Sequence, residues 1–389
     1  MERILVFSSR EICYRSSNFF ANQIGAAFEK LGYQTEVCEM SPEDDLDAVL
    51  EPLLDKKYRL ILDFNSRLPH LEMDDGAPFL DCLDGPFFDY IVDHPLFHHN
   101  GLATKAKNMH VLVLDEAQRD YVQTYYPNVE SVHMLPLGAT QALYEGEKYP
   151  ECRVFFPGTY DSPDAVYDVV DASPEPFRGM MKEIIARRIE EPLLPMEQAL
   201  RELLTSMDME LEPAQFALFM NGMYASDAFI RDYFRKKALD ELLKEHLPVT
   251  VLGEGWEKYH NPDEKTLRRE HALPFGLSFE WIAKEHILLN VSPIFNRGMH
   301  DRVPAGMANH TVVLTDGNPY LSREFLVGEE ICCYDLARIE TLSACAGELI
   351  ENPALREKIE HAAYQSFLKH HTWECRAKEI LNITDKLTR

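Results

Sequence analysis

The stretch that most constrains the fold covers residues 286–320, where two strand-length apolar runs flank one short helical segment. The run at 287–291 and the β-branched run at 311–315 each end at residues that favour turns, so both are predicted to be buried strands. Between them, Asp301 is a suitable N-cap for a helix that has Pro304 in its first turn. The stretch therefore predicts a strand, a loop, a helix and a second strand, which is the repeating unit of a parallel α/β sheet.

The loop and the first helical turn of this unit carry a candidate anion site. Arg297, Gly298, His300 and Arg302 lie there, and a helix N-terminus offers free backbone N–H groups and the positive end of the helix dipole. Phosphate is the anion that this combination favours. A structural interpretation stays open, because every β-α-β unit needs a loop at this position and an isolated Arg or His in it can be a solvated surface residue.

The chain of 389 residues is long enough for two α/β domains with a core in each. Residues 1–145 alternate strand and helix patterns, which predicts a parallel, doubly wound sheet and hence a first Rossmann-like domain. No G-x-G-x-x-G motif follows the first strand at residues 4–7, so a dinucleotide cofactor loses its main support in the sequence. No cofactor is predicted.

A second α/β domain is predicted for residues 146–370, because the strand and helix alternation starts again there. Within it, residues 164–245 are acidic and carry apolar residues three and four apart, which predicts a helical insertion. Arg231 and Arg235, near the end of this insertion, are interpreted as helix-surface partners of acidic neighbours. A last helix is predicted in residues 371–389.

Charge and composition limit the classes of partner. The formal net charge is −26, which disfavours a nucleic-acid groove or an anionic membrane surface, since both need basic patches. A local cluster of N–H groups and cations can still hold one diphosphate. The apolar runs have strand length, so no membrane-spanning segment is predicted, and eight cysteines without a C-x-x-C pair indicate reduced thiols in a cytoplasmic protein.

Asp93 and His94 end a predicted strand at the carboxyl edge of the first sheet, where ligands of such sheets bind. They are the candidate catalytic residues, for acid–base chemistry or for orienting an acceptor. The alternative is a capped turn with a hydrogen-bonded histidine. His98 and His99 follow closely, but no cluster of carboxylates or cysteines accompanies them, so no metal site is predicted.

Two segments of the second half resemble a known family. Residues 297–303, Arg-Gly-Met-His-Asp-Arg-Val, and residues 312–321, Val-Val-Leu-Thr-Asp-Gly-Asn-Pro-Tyr-Leu, resemble the donor half of GT-B glycosyltransferases. Among these, the chain looks most like the bacterial CgeB-like proteins and the related group 1 glycosyltransferases. The resemblance implies an α/β fold of two Rossmann-like domains that face a cleft, with the helical insertion in the second domain and a closing helix at 371–389 that crosses back to the first.

The same resemblance implies roles for individual residues. In this family the loop and helix N-terminus hold the donor diphosphate, which implies that role for the loop cations and glycine named above. The family's second domain also opens with a strand and a glycine-bearing turn close to the phosphates, which implies diphosphate contacts for Gly158 and Thr159. The loop that begins at Gly253 packs around the nucleotide base in the family, which implies a nucleoside site at Gly253, Phe275 and Gly276.

The chain departs from the family where the ribose is recognised. Many relatives have two glutamates eight residues apart across the phosphate loop, and this chain has Asn296 and Pro304 at those positions. Ribose recognition must therefore come from other residues, and Asp316 and Asn318 are the candidates for this part of the nucleoside site.

The predicted function is the metal-independent transfer of a sugar from a nucleoside-diphosphate sugar, such as a UDP-sugar, to an unknown acceptor. Two alternatives stay open. One is a non-hydrolysing nucleotide-sugar epimerase, which shares the fold, and the other is a non-catalytic nucleotide-sugar-binding or spore-surface protein. The predicted partners are the donor and the acceptor, without nucleic acid.

Overall fold

Two parallel sheets form the core of the computed structural model, which describes residues 1–9, 16–41, 43–143 and 146–387. The strands of the first sheet are β1 (Arg3–Ser9), β2 (Gln34–Met40), β3 (Leu60–Phe64), β4 (Phe87–Ile91), β5 (Met109–Val113) and β6 (Ser131–Met134). They pair in the order β2-β1-β3-β4-β5-β6. β3, β4 and β5 are buried along their whole length, as is expected of parallel strands that are covered on both faces.

Four α-helices accompany the first sheet. They are α1 (Ser16–Lys30), α2 (Leu46–Leu50), α3 (His99–Leu102) and α4 (Glu116–Tyr125). α4 begins where Asp115 accepts hydrogen bonds from the backbone N–H groups of Ala117 and Gln118, which satisfies donors that the helix itself leaves free. The alternation of strands and helices that the sequence predicts for this half of the chain is confirmed.

The second sheet also has six strands. They are β7 (Val154–Pro157), β8 (Val249–Leu252), β9 (Leu267–Glu270), β10 (Ile287–Asn290), β11 (Val312–Asp316) and β12 (Cys332–Tyr334), in the order β12-β11-β10-β7-β8-β9. The remaining helices of this domain and of the C-terminus are α10 (Ser278–Lys284), α11 (Arg302–Ala308), α12 (Pro319–Glu324), α13 (Glu340–Glu351), α14 (Pro353–His370) and α15 (Trp373–Leu387). β10 and β11 pair in parallel and α11 connects them, so the unit predicted for residues 286–320 is confirmed.

Five helices lie between β7 and β8, although these two strands are neighbours in the sheet. They are α5 (Pro163–Ala172), α6 (Phe177–Glu190), α7 (Met196–Ser206), α8 (Pro213–Gly222) and α9 (Tyr224–Lys244). This is the helical insertion that the sequence predicts. Its last helix, α9, precedes β8, and the side chains of Arg231 and Arg235 in the middle of α9 lie at the carboxyl ends of β7 and β8.

The C-terminal helix α15 packs against α1 of the first domain. Glu374 forms an ion pair with Lys30 at 2.5 Å, and the indole of Trp373 donates a hydrogen bond to Thr140 at 3.0 Å. Gly138 makes this approach possible, because a Cβ atom there would lie 2.8 Å from the backbone nitrogen of Trp373. No helix within the described ranges combines the length and the apolar character that crossing a lipid bilayer needs.

The insertion contains a fully buried ion pair that links two of its helices. Arg188 of α6 and Asp227 of α9 are each 1% exposed, and their charged atoms lie 2.7 Å apart. An ion pair of this kind contributes little compared with an apolar pair, but removing one partner leaves the other charge buried and uncompensated. The packing of α6 on α9 therefore depends on both residues.

We expect Asp227→Ala to lower the free energy of unfolding by about 3–5 kcal/mol, because the Arg188 guanidinium would stay buried without its partner. Urea denaturation followed by circular dichroism measures this. The matched control is Asp171→Ala, which removes an ion pair with Lys182 on the surface of the same insertion and should leave the unfolding midpoint almost unchanged. Equal midpoints for the two variants would contradict the role given to the buried pair.

Candidate functional site

A cavity of about 500 Å³ lies between the two domains, at the carboxyl ends of their parallel strands. Residues that directly follow β4, β5, β7 and β8 line it, which is the usual ligand position in open parallel sheets. The first domain contributes Ser16, Phe20, Val92, Asp93, Leu114 and Leu137, and the second contributes mainly polar and charged residues together with an aromatic wall. The cleft that the sequence predicts is thus a cavity with walls from both domains.

Two glycine turns form the floor of the cavity on the side of the second domain. Gly158 follows β7 and Gly253 follows β8, and both line the cavity together with Thr159. Gly253 has a φ of +147°, and a Cβ atom on it would lie 2.3 Å from the carbonyl oxygen of Gly158. That carbonyl also accepts a hydrogen bond of 2.7 Å from the indole of Trp256. The two turns therefore pack backbone against backbone, which leaves no space for a side chain.

Arg302, the first residue of α11, is held behind the Gly158 turn. Its Nε donates to the carbonyl oxygen of Pro157 at 2.8 Å, and its guanidinium lies 5.3 Å from the ring centre of Phe156. A cation over an aromatic face is attracted by the ring quadrupole, so both contacts fix the guanidinium in one orientation. A Cβ atom at Gly158 would lie 2.8 Å from Arg302 Nη2, so the glycine gives the arginine access to the cavity wall.

Arg235 of α9 brings a second, less neutralised cation to the same cavity. Its side chain is 13% exposed, and its nearest carboxylate, that of Asp232, is 4.0 Å away. The same carboxylate binds Arg231 at 2.8 Å. Arg235 Nε is buried and has no hydrogen-bond partner. Burial first, and then the charges of Arg231 and Arg302, lower the pKa of Arg235 to about 9. A buried cation without a matched acceptor is a position at which an anion is stabilised.

The sequence interpretation of Arg231 and Arg235 as helix-surface partners of acidic neighbours is therefore incomplete. Arg231 does pair with acids, but both residues line the cavity. The sequence did contain a sign of this role, because two arginines four residues apart lie on the same helix face and repel each other. Such a pair needs negative charge nearby, and the one carboxylate between them is bound mainly to Arg231.

His300 and Asp301 line the cavity beside Arg302. The carboxylate of Asp301 lies 2.5 Å from His300 Nδ1, and no side-chain capping bond is present. Asp301 occupies the N-cap position of α11 as the sequence predicts, but its carboxylate turns to the histidine ring and makes no capping bond. His300 Nδ1 also accepts a hydrogen bond of 3.2 Å from the backbone N–H of Arg302, and Nε2 lies 3.4 Å from Arg302 Nη1. Burial is the main cause that lowers the pKa of His300, and the charge of Arg302 adds to it.

The structure separates Arg297 and Gly298 from this group, and their predicted role as diphosphate ligands is revised. The backbone N–H of Arg297 donates to the carboxylate of Asp115 at 2.6 Å, and its guanidinium binds Asp120 at 3.1 Å. Gly298 forms a β-bridge with Asp115, and a Cβ atom on it would lie 2.3 Å from the carbonyl oxygen of Leu114. The loop therefore joins the two domains, and its two residues are absent from the cavity lining.

An aromatic wall closes the cavity on the side predicted to bind the nucleoside. Phe275 lines the cavity and contacts Phe20 edge-to-face, with ring centres 5.1 Å apart, and Phe279 at 5.6 Å. Gly253 and Leu273 lie in the same lining. Gly276 is not part of the cavity lining. A Cβ atom on Gly276 would lie 3.2 Å from the ring of Phe19. The turn thus presents an apolar ring, and its glycine allows α1 of the other domain to approach.

Asp316 and Asn318 lie away from the cavity, and their predicted role in ribose binding is revised. Asp316 accepts a hydrogen bond of 2.9 Å from the backbone N–H of Ser292, and burial raises its pKa to about 6. Asn318 caps α12, and its amide donates to the carbonyl oxygens of Phe295 and Gly298 at 2.9 and 3.0 Å. Both side chains are buried and hold the loops around β11 together.

Asp93 and His94 have different surroundings although they are adjacent. Asp93 lines the cavity and accepts a hydrogen bond of 3.0 Å from the amide of Asn65. His94 is 4% exposed, and its Nδ1 accepts from the backbone N–H of Leu96 at 3.1 Å. Burial lowers the pKa of His94 to about 4. His94 is therefore a neutral capping residue, as in the structural alternative, while Asp93 keeps its candidate position.

No group of three or more His, Cys, Asp or Glu side chains in the described part of the chain has an arrangement that could hold a metal ion. His98 and His99 belong to no such group. His99 Nδ1 lies 3.0 Å from the hydroxyl of Tyr126 instead. Positive charge at the cavity comes from arginine side chains.

Comparison with known proteins agrees with this architecture. Residues 231–382 match the family model described as "Glycosyl transferase-like". No curated protein sequence matches the chain. A sucrose-phosphate synthase from Thermosynechococcus elongatus has a TM-score of 0.57 at 10% identity, with 100% of this chain and 99% of that chain covered. The T4 phage BGT in complex with its UDP-glucose substrate has a TM-score of 0.53 at 12% identity, with 99% of each chain covered.

A third structure, an alpha-glucosyltransferase in complex with UDP-glucose and DNA containing an abasic site, has a TM-score of 0.54 at 13% identity and covers 98% of this chain and 99% of that chain. At these identities the structures show the fold, which is GT-B as the sequence predicts. The segment at 231–382 belongs to the glycosyl transferase-like family. The described chain thus carries a glycosyl transferase-like segment within a GT-B fold of two Rossmann-like domains, and the narrower resemblance to the CgeB-like proteins stays a prediction.

Proposed function

We propose that this glycosyltransferase uses a nucleoside-diphosphate sugar as its donor and binds the donor diphosphate beside Arg235 and Arg302. The observation that carries the proposal is the Arg235 side chain, which lines the cavity between the domains and whose buried Nε has no hydrogen-bond partner. A diphosphate supplies the acceptor oxygens and the negative charge that this guanidinium needs, and arginine forms strong paired hydrogen bonds with phosphate.

The residues that line the cavity on the side of the second domain indicate how the donor would lie in it. The nucleoside base would pack against Phe275 and Leu273, the phosphates would lie over the Gly158 and Gly253 turns, and the sugar would point to the first domain. The apolar ring wall and the glycine backbone support this direction, because a base needs a flat apolar contact and a phosphate needs close approach of the backbone. α11 has seven residues, so the arginine side chains, more than its dipole, would supply the positive charge.

In the proposed reaction, an acceptor oxygen attacks the anomeric carbon of the donor sugar. The bond between that carbon and the diphosphate oxygen breaks, and the electron pair leaves with the diphosphate. Arg235 and Arg302 stabilise the negative charge that develops there, which lowers the barrier because the charge grows in the transition state. The carboxylate of Asp93 takes the proton of the acceptor oxygen, which makes it the catalytic base.

The acceptor is proposed to be something other than nucleic acid. One similar structure contains DNA, but a chain with a net charge of −26 would repel a polyanion of many phosphates while still binding one diphosphate locally. We assign the reaction to the cytoplasm, because the seven described cysteines are free thiols and reduced thiols are typical of that compartment.

We expect Arg235→Gln to weaken UDP binding by about 1.5–3 kcal/mol, the usual contribution of hydrogen bonds to a charged group. Isothermal titration calorimetry with UDP measures this. Arg178→Gln is the matched control, since it removes an exposed arginine that pairs with Glu175 in the insertion. His300→Ala and Arg302→Gln should weaken binding by about 1–3 kcal/mol each for the same reason. Wild-type affinity in Arg235→Gln would refute the diphosphate assignment.

We also expect release of UDP from UDP-glucose to continue in the presence of EDTA, because guanidinium groups would take the charge-neutralising part that a divalent ion has in metal-dependent transferases. Coupled detection of free UDP measures the rate with and without added Mn²⁺ or Mg²⁺. Complete loss with EDTA and recovery with either ion would contradict metal independence. Conversion of the UDP-sugar to its epimer without UDP release would favour the epimerase alternative.

A further inference from the structure

Asn65, in the loop after β3, has contacts that no part of the donor site explains. Its backbone is left-handed, with a φ of +58°. Its side-chain Nδ2 donates to Asp93 Oδ2 at 3.0 Å, and its Oδ1 accepts from the backbone N–H of Val92 at 2.9 Å. One amide therefore holds both the carboxylate of Asp93 and the backbone just before it.

The loop that carries Asn65 is itself firmly anchored. Ser66 is also left-handed, with a φ of +56°, and its N–H and hydroxyl donate to the carboxylate of Asp89 at 2.9 and 2.5 Å. The neighbouring carboxylate of Asp63 accepts from the backbone N–H groups of Phe64 and Leu68 at 2.8 and 2.6 Å. Two buried carboxylates on adjacent strands thus fix the loop from below, and two consecutive left-handed residues are held by many bonds.

We propose that Asn65 is a positioning residue that holds the carboxylate of Asp93 by a hydrogen bond and aims it into the cavity as the base of the transfer reaction. The inference rests on the proposed function, since Asp93 needs this role only if the chain transfers sugar. Asparagine fits the position in two ways, because it tolerates left-handed backbone better than most residues and its amide can donate and accept at once. A donated hydrogen bond favours the charged form of a carboxylate.

Other ionisable groups share this neighbourhood. In the first domain, burial lowers the pKa of His98, and the charges of Asp93, His70 and Arg67 also act on this histidine. From the second domain the same cavity receives Asp161, Arg231, Arg235, Glu254, His300, Asp301 and Arg302. Asn65 is uncharged and donates a side-chain hydrogen bond to the Asp93 carboxylate. A substitution of Asn65 therefore removes this hydrogen bond without removing any of the charges named above.

The test is the pH dependence of UDP release from UDP-glucose, with water accepting the glucosyl group, between about pH 3 and pH 8, a range that includes the usual acid limb of an aspartate base. In Asn65→Gly the left-handed backbone is kept and the amide is lost. We expect the acid limb of kcat to move upward by about one pH unit, which corresponds to about a ten-fold lower rate on that limb. KM for UDP-glucose and the affinity for UDP should not change.

Asn65→Asp is the second variant, because it still accepts from Val92 but puts a like charge beside Asp93, so the same limb should move at least as far. Asn108→Gly is the matched control. Asn108 is also left-handed, with a φ of +53°, but it precedes β5 and so lies at the opposite edge of the sheet from the cavity. Its pH profile should be that of the wild type.

A wild-type acid limb in both Asn65 variants, with lower kcat at all pH values, would overturn the inference and leave Asn65 as a loop-stabilising residue. Wild-type turnover in Asp93→Asn would instead overturn the base assignment on which it rests. Failure of the donor proposal would give a different result. The wild-type chain would then show no UDP binding in calorimetry, independently of the Asn65 variants.

Discussion

The burial of the Arg235 guanidinium is the constraint on which the donor side of the cleft depends. A cation that is 13% exposed, with its nearest carboxylate at 4.0 Å and two other arginines close by, is costly for the folded chain on its own. Its position follows from the insertion, because the middle of α9 lies beside the turns that follow β7 and β8. The buried pair of Arg188 and Asp227 fixes α9 to the rest of the insertion. The helical insertion thus serves to bring charge to the cavity.

The loop at residues 296–302 has two functions, one in its first part and one in its second part. Its first part joins the domains through Arg297, Gly298 and Asp115, and its second part brings His300 and Arg302 into the cavity. Because only one residue separates Gly298 from His300, a shift of one domain against the other would move the donor side of the site.

Local pattern was sufficient for the fold and for part of the site. Apolar runs of strand length and helical spacing predicted β10, α11 and β11, and the family resemblance indicated the glycine turn at Gly158. What could not be predicted depends on contacts between distant segments. Asp115 is 182 positions from Arg297 in the chain, and nothing near the loop indicates that it would bind a carboxylate of the other domain. Asn318 likewise has a side chain that could bind a ribose. In the structure its amide oxygen caps α12 and its amide nitrogen donates to the loop that contains Phe295.

The most direct test of the account is a crystal structure of the chain with UDP bound. The account predicts diphosphate oxygens within hydrogen-bond distance, about 2.7–3.2 Å, of Arg235 Nε and the Arg302 guanidinium, with the uracil against Phe275. A diphosphate bound instead at Arg297 and Gly298, or anywhere that leaves Arg235 Nε without an acceptor, would contradict it.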